Sequence, residues 1–172
     1  MRIPPLILIG ALLAASTAAA ETKTYTDKFF LYSVDYPQDW KVKHISKFTV
    51  ITSPFESKED RFAENVEIVA EDVSQVPGGV NLFEYYRKSS GGAADLLPDF
   101  KLLEEAQTVW NGREAIVNLY TMTHKGERFK RKAYTFLIDK TAYVLTYTAK
   151  LSDFEAYLAP AERIIRSIRV SP

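Results

Sequence analysis

Two histidines, one run of carboxylates and one run of cations are the side chains with chemistry to offer. His44 follows Trp40-Lys41-Val42-Lys43, and His124 stands between Thr123 and Lys125. They lie far apart in the chain, with no HExxH pattern or local ligand spacing around either. A shared metal site would need the fold to bring them together; otherwise each is a surface residue. Glu56, Glu59, Asp60 and Glu64 fall in the segment PFESKEDRFAE. Carboxylate oxygens at this density suit a hard cation such as calcium or manganese. The segment lacks the Asp/Asn ladder and central glycine of a calcium hand, and Lys58 and Arg61 offset its charge, so a solvated loop is the other reading.

The cations are Lys125, Arg128, Lys130, Arg131 and Lys132. On a strand, Arg128, Lys130 and Lys132 share one face and Arg131 takes the other. With Lys125, the strip could meet an anionic lipid surface or an acidic protein partner. The same charges also suit an edge strand guarded against aggregation.

Several chemistries are absent. The chain has no cysteine, which excludes disulfides, thiolate catalysis and zinc–sulfur sites. It has no GxSxG elbow and no GxGxxG or GxxxxGK[ST] phosphate loop. Glu104 and Glu105 are adjacent on a predicted strand and would point to opposite faces, so they cannot easily share a substrate. No catalytic residue and no cofactor is assigned, and the sequence reads as that of a protein that is not an enzyme. The 22 basic residues balance 22 acidic ones. That balance argues against nucleic acid, where a basic excess is expected.

The N-terminus, MRIPPLILIGALLAASTAAA, has the form of an export signal. Arg2 supplies a positive start, Leu6 to Ala15 is apolar but too short to span a bilayer, and Ala18-Ala19-Ala20 offers small residues for signal peptidase. Cleavage is expected between Ala20 and Glu21, which divides the chain into a signal peptide, 1–20, and a single domain, 21–172. An uncleaved anchor is the alternative. No later stretch is apolar enough to cross a membrane, so the expected location is periplasmic or secreted.

Elements able to position these groups follow from periodicity. Phe30, Tyr32, Val34 and Tyr36 alternate as a strand does, and Pro37 ends it. Residues 21–28 carry no marked signal. Strands are expected at 40–42, 48–52 and 65–73, with Pro77-Gly78-Gly79 marking a loop. Asn81 and Glu84 resemble a capping box opening a helix, on which Leu82, Tyr85 and Tyr86 share one face. Ser89-Ser90-Gly91-Gly92 should end it. Strands at 102–109, 113–123, 128–138 and 142–149 follow, joined by the turns Asn111-Gly112, Lys125-Gly126 and Asp139-Lys140. Turns this short require mostly antiparallel neighbours. Ser152 to Glu155 has the residue types of a capping box, and Pro160 should kink the last helix or confine it to 160–168. Helices covering opposite faces of one sheet would leave both faces dry, in keeping with a strand such as Ala142 to Tyr147 that is apolar or aromatic on both sides.

The order of these motifs resembles the PsbP-like family, grouped by fold with the Mog and DcrB-like proteins. The residues that carry the resemblance are Asp35-Tyr36-Pro37-Gln38-Asp39-Trp40, Ser53-Pro54 and Asn65 to Val69, then Leu103-Glu104-Glu105, Asn111 to Ala115, Ala142 to Ala149, and the helix with Tyr157-Leu158 and Ala161 to Ile168. It covers nearly all of the chain after residue 20, through motifs that are specific to a fold rather than to an activity. The resemblance implies an α+β single domain, an antiparallel sheet flanked by helices in an α/β/α sandwich. It implies an exported non-catalytic accessory or binding protein, acting on a protein complex or a small ligand through a surface or a crevice between sheet and helix. PsbP itself is an extrinsic lumenal subunit of photosystem II that helps retain calcium and chloride. A metal-retaining subunit of a membrane complex is therefore the alternative, and an enzyme with dispersed residues the third.

Overall fold

The computed structural model describes residues 21–90 and 92–171, without the side chain of Ala94; the expected signal peptide lies outside the described residues. In chain order the elements are β1 (Thr22–Asp27), β2 (Tyr32–Pro37), β3 (Lys41–Ile45), β4 (Phe48–Thr52), β5 (Asn65–Asp72), α1 (Leu82–Ser90) and α2 (Ala93–Leu96). They continue as β6 (Lys101–Trp110), β7 (Arg113–His124), β8 (Glu127–Ile138), β9 (Thr141–Lys150), α3 (Phe154–Arg166) and β10 (Arg169–Val170).

A seven-stranded antiparallel sheet runs in the order β3-β4-β5-β9-β8-β7-β6. The expected four-strand meander forms as read. Asn111 and Gly112 close the β6–β7 hairpin with φ of 47° and 76°, and Lys125 and Gly126 close the next with 51° and 82°. Both pairs need the left-handed region that asparagine tolerates and glycine adopts freely.

The expectation of one sheet needs correction. β2 does not join the seven strands. It lies between β1 and β10 in a separate three-stranded antiparallel sheet. Residues 22–27, which carry no marked sequence signal, form β1 because β2 offers them an unpaired backbone edge in register from Thr22↔Pro37 to Asp27↔Tyr32. Tertiary pairing overrides weak local preference here. Likewise β8 is an interior strand, so its cations guard no edge.

Alternation decides which side chains face which helix. On β9, Tyr143, Leu145 and Tyr147 point to the face covered by α3, and Val144, Thr146 and Thr148 to the face covered in part by α1. The α3 face holds the core. Trp110 stacks on Phe136 at 4.5 Å between ring centroids, Phe136 on Tyr143 at 5.4 Å, and Tyr32 meets Tyr143 edge-on at 6.3 Å. Each such aromatic contact adds about 0.5–1.5 kcal/mol beyond area burial. Ile164 and Ile165 close the layer from α3.

The α1 face is different. The helix has nine residues and packs mainly on β7 and β8. The α3 face holds the buried core, with Lys130 and Lys132 at its part-exposed end, and the α1 face is only partly covered, which corrects the expectation that both are dry.

The starts of α1 and α3 differ. Glu84 N–H donates to Asn81 Oδ1 at 2.9 Å and Asn81 N–H to Glu84 Oε2 at 3.4 Å, a reciprocal cap as expected. Ser152 does not cap α3. The helix begins at Phe154, and Asp153 at its boundary has helical backbone angles and makes no side-chain cap bond. Nor does Pro160 divide α3, which runs continuously from Phe154 to Arg166. Proline removes one N–H bond, and the buried Ala161, Ile164 and Ile165 beyond it offset that loss through packing.

Candidate functional site

The face of the seven-stranded sheet beneath α1 is the most functional-looking surface of the molecule. Register places its side chains in rows. One row crosses Asn65, Thr148, Arg131 and Tyr120 on β5, β9, β8 and β7. The next crosses Glu67, Thr146, Ala133 and Asn118. A sheet face carrying this many polar groups needs water or a ligand over it. The short helix covers only part of it, and a cavity of about 700 Å³ opens between them, within the size range of small-molecule sites.

Two tyrosines from α1 hold the roof. Tyr85 donates to Glu71 Oε2 at 2.9 Å, and Tyr86 donates to Glu105 Oε2 at 2.6 Å while accepting from Asn118 Nδ2 at 3.2 Å. Both phenols are buried, and burial, reinforced by the facing carboxylate, pushes each above its ordinary pKa. They stay protonated and act as hydrogen-bonding struts. Glu71 also meets Lys47 at 3.7 Å.

Besides Glu105, which Tyr86 engages, three lining charges have no ion pair among the described residues: exposed Arg87, which sits over the Phe83 ring at 5.6 Å, and the half-buried Arg131 and Glu67. Arg131 is half-buried; its Nε donates to Thr148 Oγ1 at 3.0 Å and its guanidinium carbon sits 5.8 Å from the centroid of the Tyr120 ring. Among the described residues no carboxylate lies within ion-pair distance of Arg131, and no cation within that distance of Glu67. Burial raises the pKa of Tyr120, the Arg131 charge opposes that rise, and the Glu67 charge adds to it. The two opposite charges therefore both act on one phenol.

A smaller cavity of about 490 Å³ lies at the other end of α1, against Gln107, Val109 and Glu114. Phe83 lines both cavities.

The sequence-predicted residues are placed elsewhere. Lys130 Nζ bonds Glu155 Oε1 at 2.9 Å and Lys132 Nζ bonds Glu162 Oε1 at 2.7 Å, so α3 neutralises much of that strip. Lys125 and Arg128 are exposed at the β7–β8 turn end. The four loop carboxylates differ in partner and burial, although Glu56, Asp60 and Glu64 all act on the Tyr157 phenol. Asp60 bonds Lys150 at 2.8 Å, Glu56 accepts from Tyr157 at 2.8 Å, Glu59 is exposed, and Glu64 is 2% exposed. Among the described residues no group of three His, Cys, Asp or Glu is arranged to hold a metal. Burial raises the pKa of Glu64, and its Oε1 has no hydrogen-bond partner among the described residues.

The histidines do not meet. His44 lies on edge strand β3, while His124 ends β7 near the opposite edge. His44 Nδ1 lies 3.0 Å from Thr49 Oγ1 and 3.6 Å from Asp27 Oδ2. A relay triad places the carboxylate and the hydroxyl on different ring nitrogens. Here both approach the same one, and Thr49 is wholly buried and accepts from Tyr32 O–H at 2.7 Å. This cluster fixes the β3–β4 hairpin against β2.

Comparison of the whole chain with solved structures places this architecture. The solution structure of cyanobacterial PsbP (CyanoP) from Synechocystis sp. PCC 6803 matches with a TM-score of 0.63, 10% identity, 95% of this chain and 99% of that one. The fold is PsbP-like. Protein PA94 of Pseudomonas aeruginosa, of unknown function, matches with a TM-score of 0.63 at 16% identity, over 89% of this chain and 99% of its own. LpqN of Mycobacterium tuberculosis, involved in cell envelope biogenesis, matches with 0.56 at 14% identity, over 91% and 88%. No protein-family model and no curated protein sequence matches the chain. At these identities the PsbP-like likeness establishes the fold alone.

Sequence reasoning missed Arg131 and Glu67 as a pair because they are distant in the chain and face one cleft only through the pairing of β5 and β8 with β9. One signal was legible: Arg131 was read on the strand face opposite Arg128, Lys130 and Lys132.

Proposed function

We infer that the protein is an exported, non-catalytic accessory protein that binds a small ligand in the cleft beneath α1. The observation that carries this reading is the unpaired Arg131 and Glu67 in an open polar cavity. Unpaired charges in a half-buried site are costly unless something satisfies them. The buried phenols of Tyr85, Tyr86 and Tyr120 hold their protons, which supports a binding role for them. The PsbP-like fold shared with CyanoP and the envelope protein LpqN supports an accessory role. Export rests on the sequence of residues 1–20. Cleavage after Ala20 leaves β1, which begins at Thr22, intact. Among the described residues no helix is long and apolar enough to cross a membrane.

The test is gentle release of the protein from its own cells, followed by native mass spectrometry. Wild type should carry a small-molecule mass increment. Ala133→Phe, which fills the floor of the cleft, should lose it while keeping its melting transition. Equal masses for both would contradict the reading. N-terminal sequencing of the same sample should begin at Glu21; a start before Ala18 would overturn the cleavage site.

A further inference from the structure

The cleft has a definite charge arrangement. Glu67 stands opposite Thr146 on one side of β9, and Arg131 stands opposite Thr148 on the other. Paired residues share a face, and so do Thr146 and Thr148, so both charges rise from the same floor. Two strand spacings and one two-residue step separate their Cα positions by about 12 Å. The side chains are long enough to close that gap, and they do not. The Arg131 guanidinium is instead held by Thr148 through Nε and by the Tyr120 ring. Thr148 and Tyr120 thus hold the guanidinium, the Tyr120 phenol within its hydrogen-bonding reach, while no carboxylate among the described residues pairs with it, and a planar fork of this kind suits a carboxylate.

A simple anion fits poorly. Glu67, Glu71 and Glu105 line the same cleft, and Lys47, Arg87 and Arg131 line it too, so it carries both signs and no excess of cations. Glu71 and Glu105 are engaged by Tyr85 and Tyr86, but Glu67 is not. A bare carboxylate on Arg131 would meet the field of Glu67, and a bare cation on Glu67 the field of Arg131. A molecule bearing both charges satisfies both groups at once.

We propose that the cleft binds a small zwitterion of the free amino-acid or dipeptide kind, its carboxylate on Arg131 and its ammonium on Glu67. This rests on the reading of the cleft as the binding site and adds the chemical class. Beside the charges, Ala133 and Val144 offer an apolar floor, and Thr146 a hydroxyl, for the body of the ligand.

The test is calorimetric titration of the whole mature protein with L-alanyl-L-alanine, its N-acetyl derivative and its C-terminal amide. The free dipeptide should bind. Each blocked form should bind at least about tenfold more weakly. Arg131→Gln should erase the preference for a free carboxylate only, and Glu67→Gln that for a free amine only, with melting curves showing both variants folded. Equal binding of free and blocked forms would overturn the proposal, as would absence of heat with the free dipeptide at millimolar concentration. If the native protein still carries a ligand that Ala133→Phe loses, only the zwitterion class fails. If the dipeptide binds Ala133→Phe as well as wild type, the cleft itself is the wrong place.

Discussion

Arg131 and Glu67 face one cleft from opposite sides of β9, and no ion pair joins them. Four other cations do pair closely. Lys130, Lys132, Lys150 and Arg169 each hold a carboxylate at 2.7–2.9 Å. What sets Arg131 and Glu67 apart from exposed charges without an ion pair among the described residues, such as Arg128, is that both are half-buried and line one cleft.

The roof of the cleft depends on Tyr86. Tyr86→Phe removes the donor to Glu105 and the acceptor for the buried Asn118. Urea unfolding should show a loss of about 1–3 kcal/mol, because Asn118 is left with an unpaired donor. Tyr85→Phe should cost less, since half-exposed Glu71 keeps Lys47 and water. An unchanged midpoint for Tyr86→Phe would show that α1 is held by other contacts.

The cationic strip divides by partner. Lys132→Ala removes the ion pair to Glu162, which also accepts from Tyr134 O–H at 2.9 Å. The loss should be about 1 kcal/mol by urea unfolding. Arg128→Ala, exposed and outside these pairs, should stay within about 0.5 kcal/mol of wild type. Binding to anionic vesicles weakened as much by Lys132→Ala as by Arg128→Ala would show that α3 does not tie Lys132 down.

Glu64 gives an alkaline-side dependence. Burial raises its folded pKa above that of the unfolded chain, so the folded state holds the proton more tightly. Its stabilisation is full below the ordinary carboxylate range and is lost as pH rises through the folded pKa. Glu64→Gln cannot ionise. Its melting temperature relative to wild type should therefore rise as the pH is raised above the usual Glu pKa of about 4.3. A difference that is flat with pH would contradict a raised Glu64 pKa.

Asp35 gives the acid side. Arg169 grips it in a fork, Nη1 to Oδ2 at 2.8 Å and Nη2 to Oδ1 at 2.9 Å, and Thr24 donates to it at 2.7 Å. These bonds, Arg169 first, hold its pKa at about 2. The contribution is present above the ordinary Asp value and is lost as pH falls toward 2. Asp35→Asn should cost about 1 kcal/mol at neutral pH, modest because the pair is partly exposed, and the difference should fade below pH 4. A persistent difference at pH 2 would place the effect in packing instead.

Much of the fold was legible in one dimension. The meander from Lys101 to Lys150 declared itself through Asn111-Gly112 and Lys125-Gly126, whose backbone demands are local. Asn81 and Glu84 likewise announced the start of α1. What escaped was non-local. β1 exists because β2 is there to pair with it, and β2 leaves the large sheet for reasons held in α3 and β10. Glu64 looked like one of four loop carboxylates, yet the chain carries it inward beside Ser53. Pro160 looked like a break, but packing of the turns after it keeps α3 whole. The cleft required the register of four strands, and only its polar strand residues were visible beforehand.

The central claim is that ligand occupancy lies between α1 and the floor formed by β5, β9 and β8. Amide hydrogen exchange of the mature protein, with and without the small-molecule fraction extracted from its own cells, measures this directly. The account predicts slower exchange in residues 82–90 and around Glu67, Arg131 and Thr146, with the 54–64 loop and α3 unchanged. Slowing confined to α3 or that loop, or none anywhere, would contradict it.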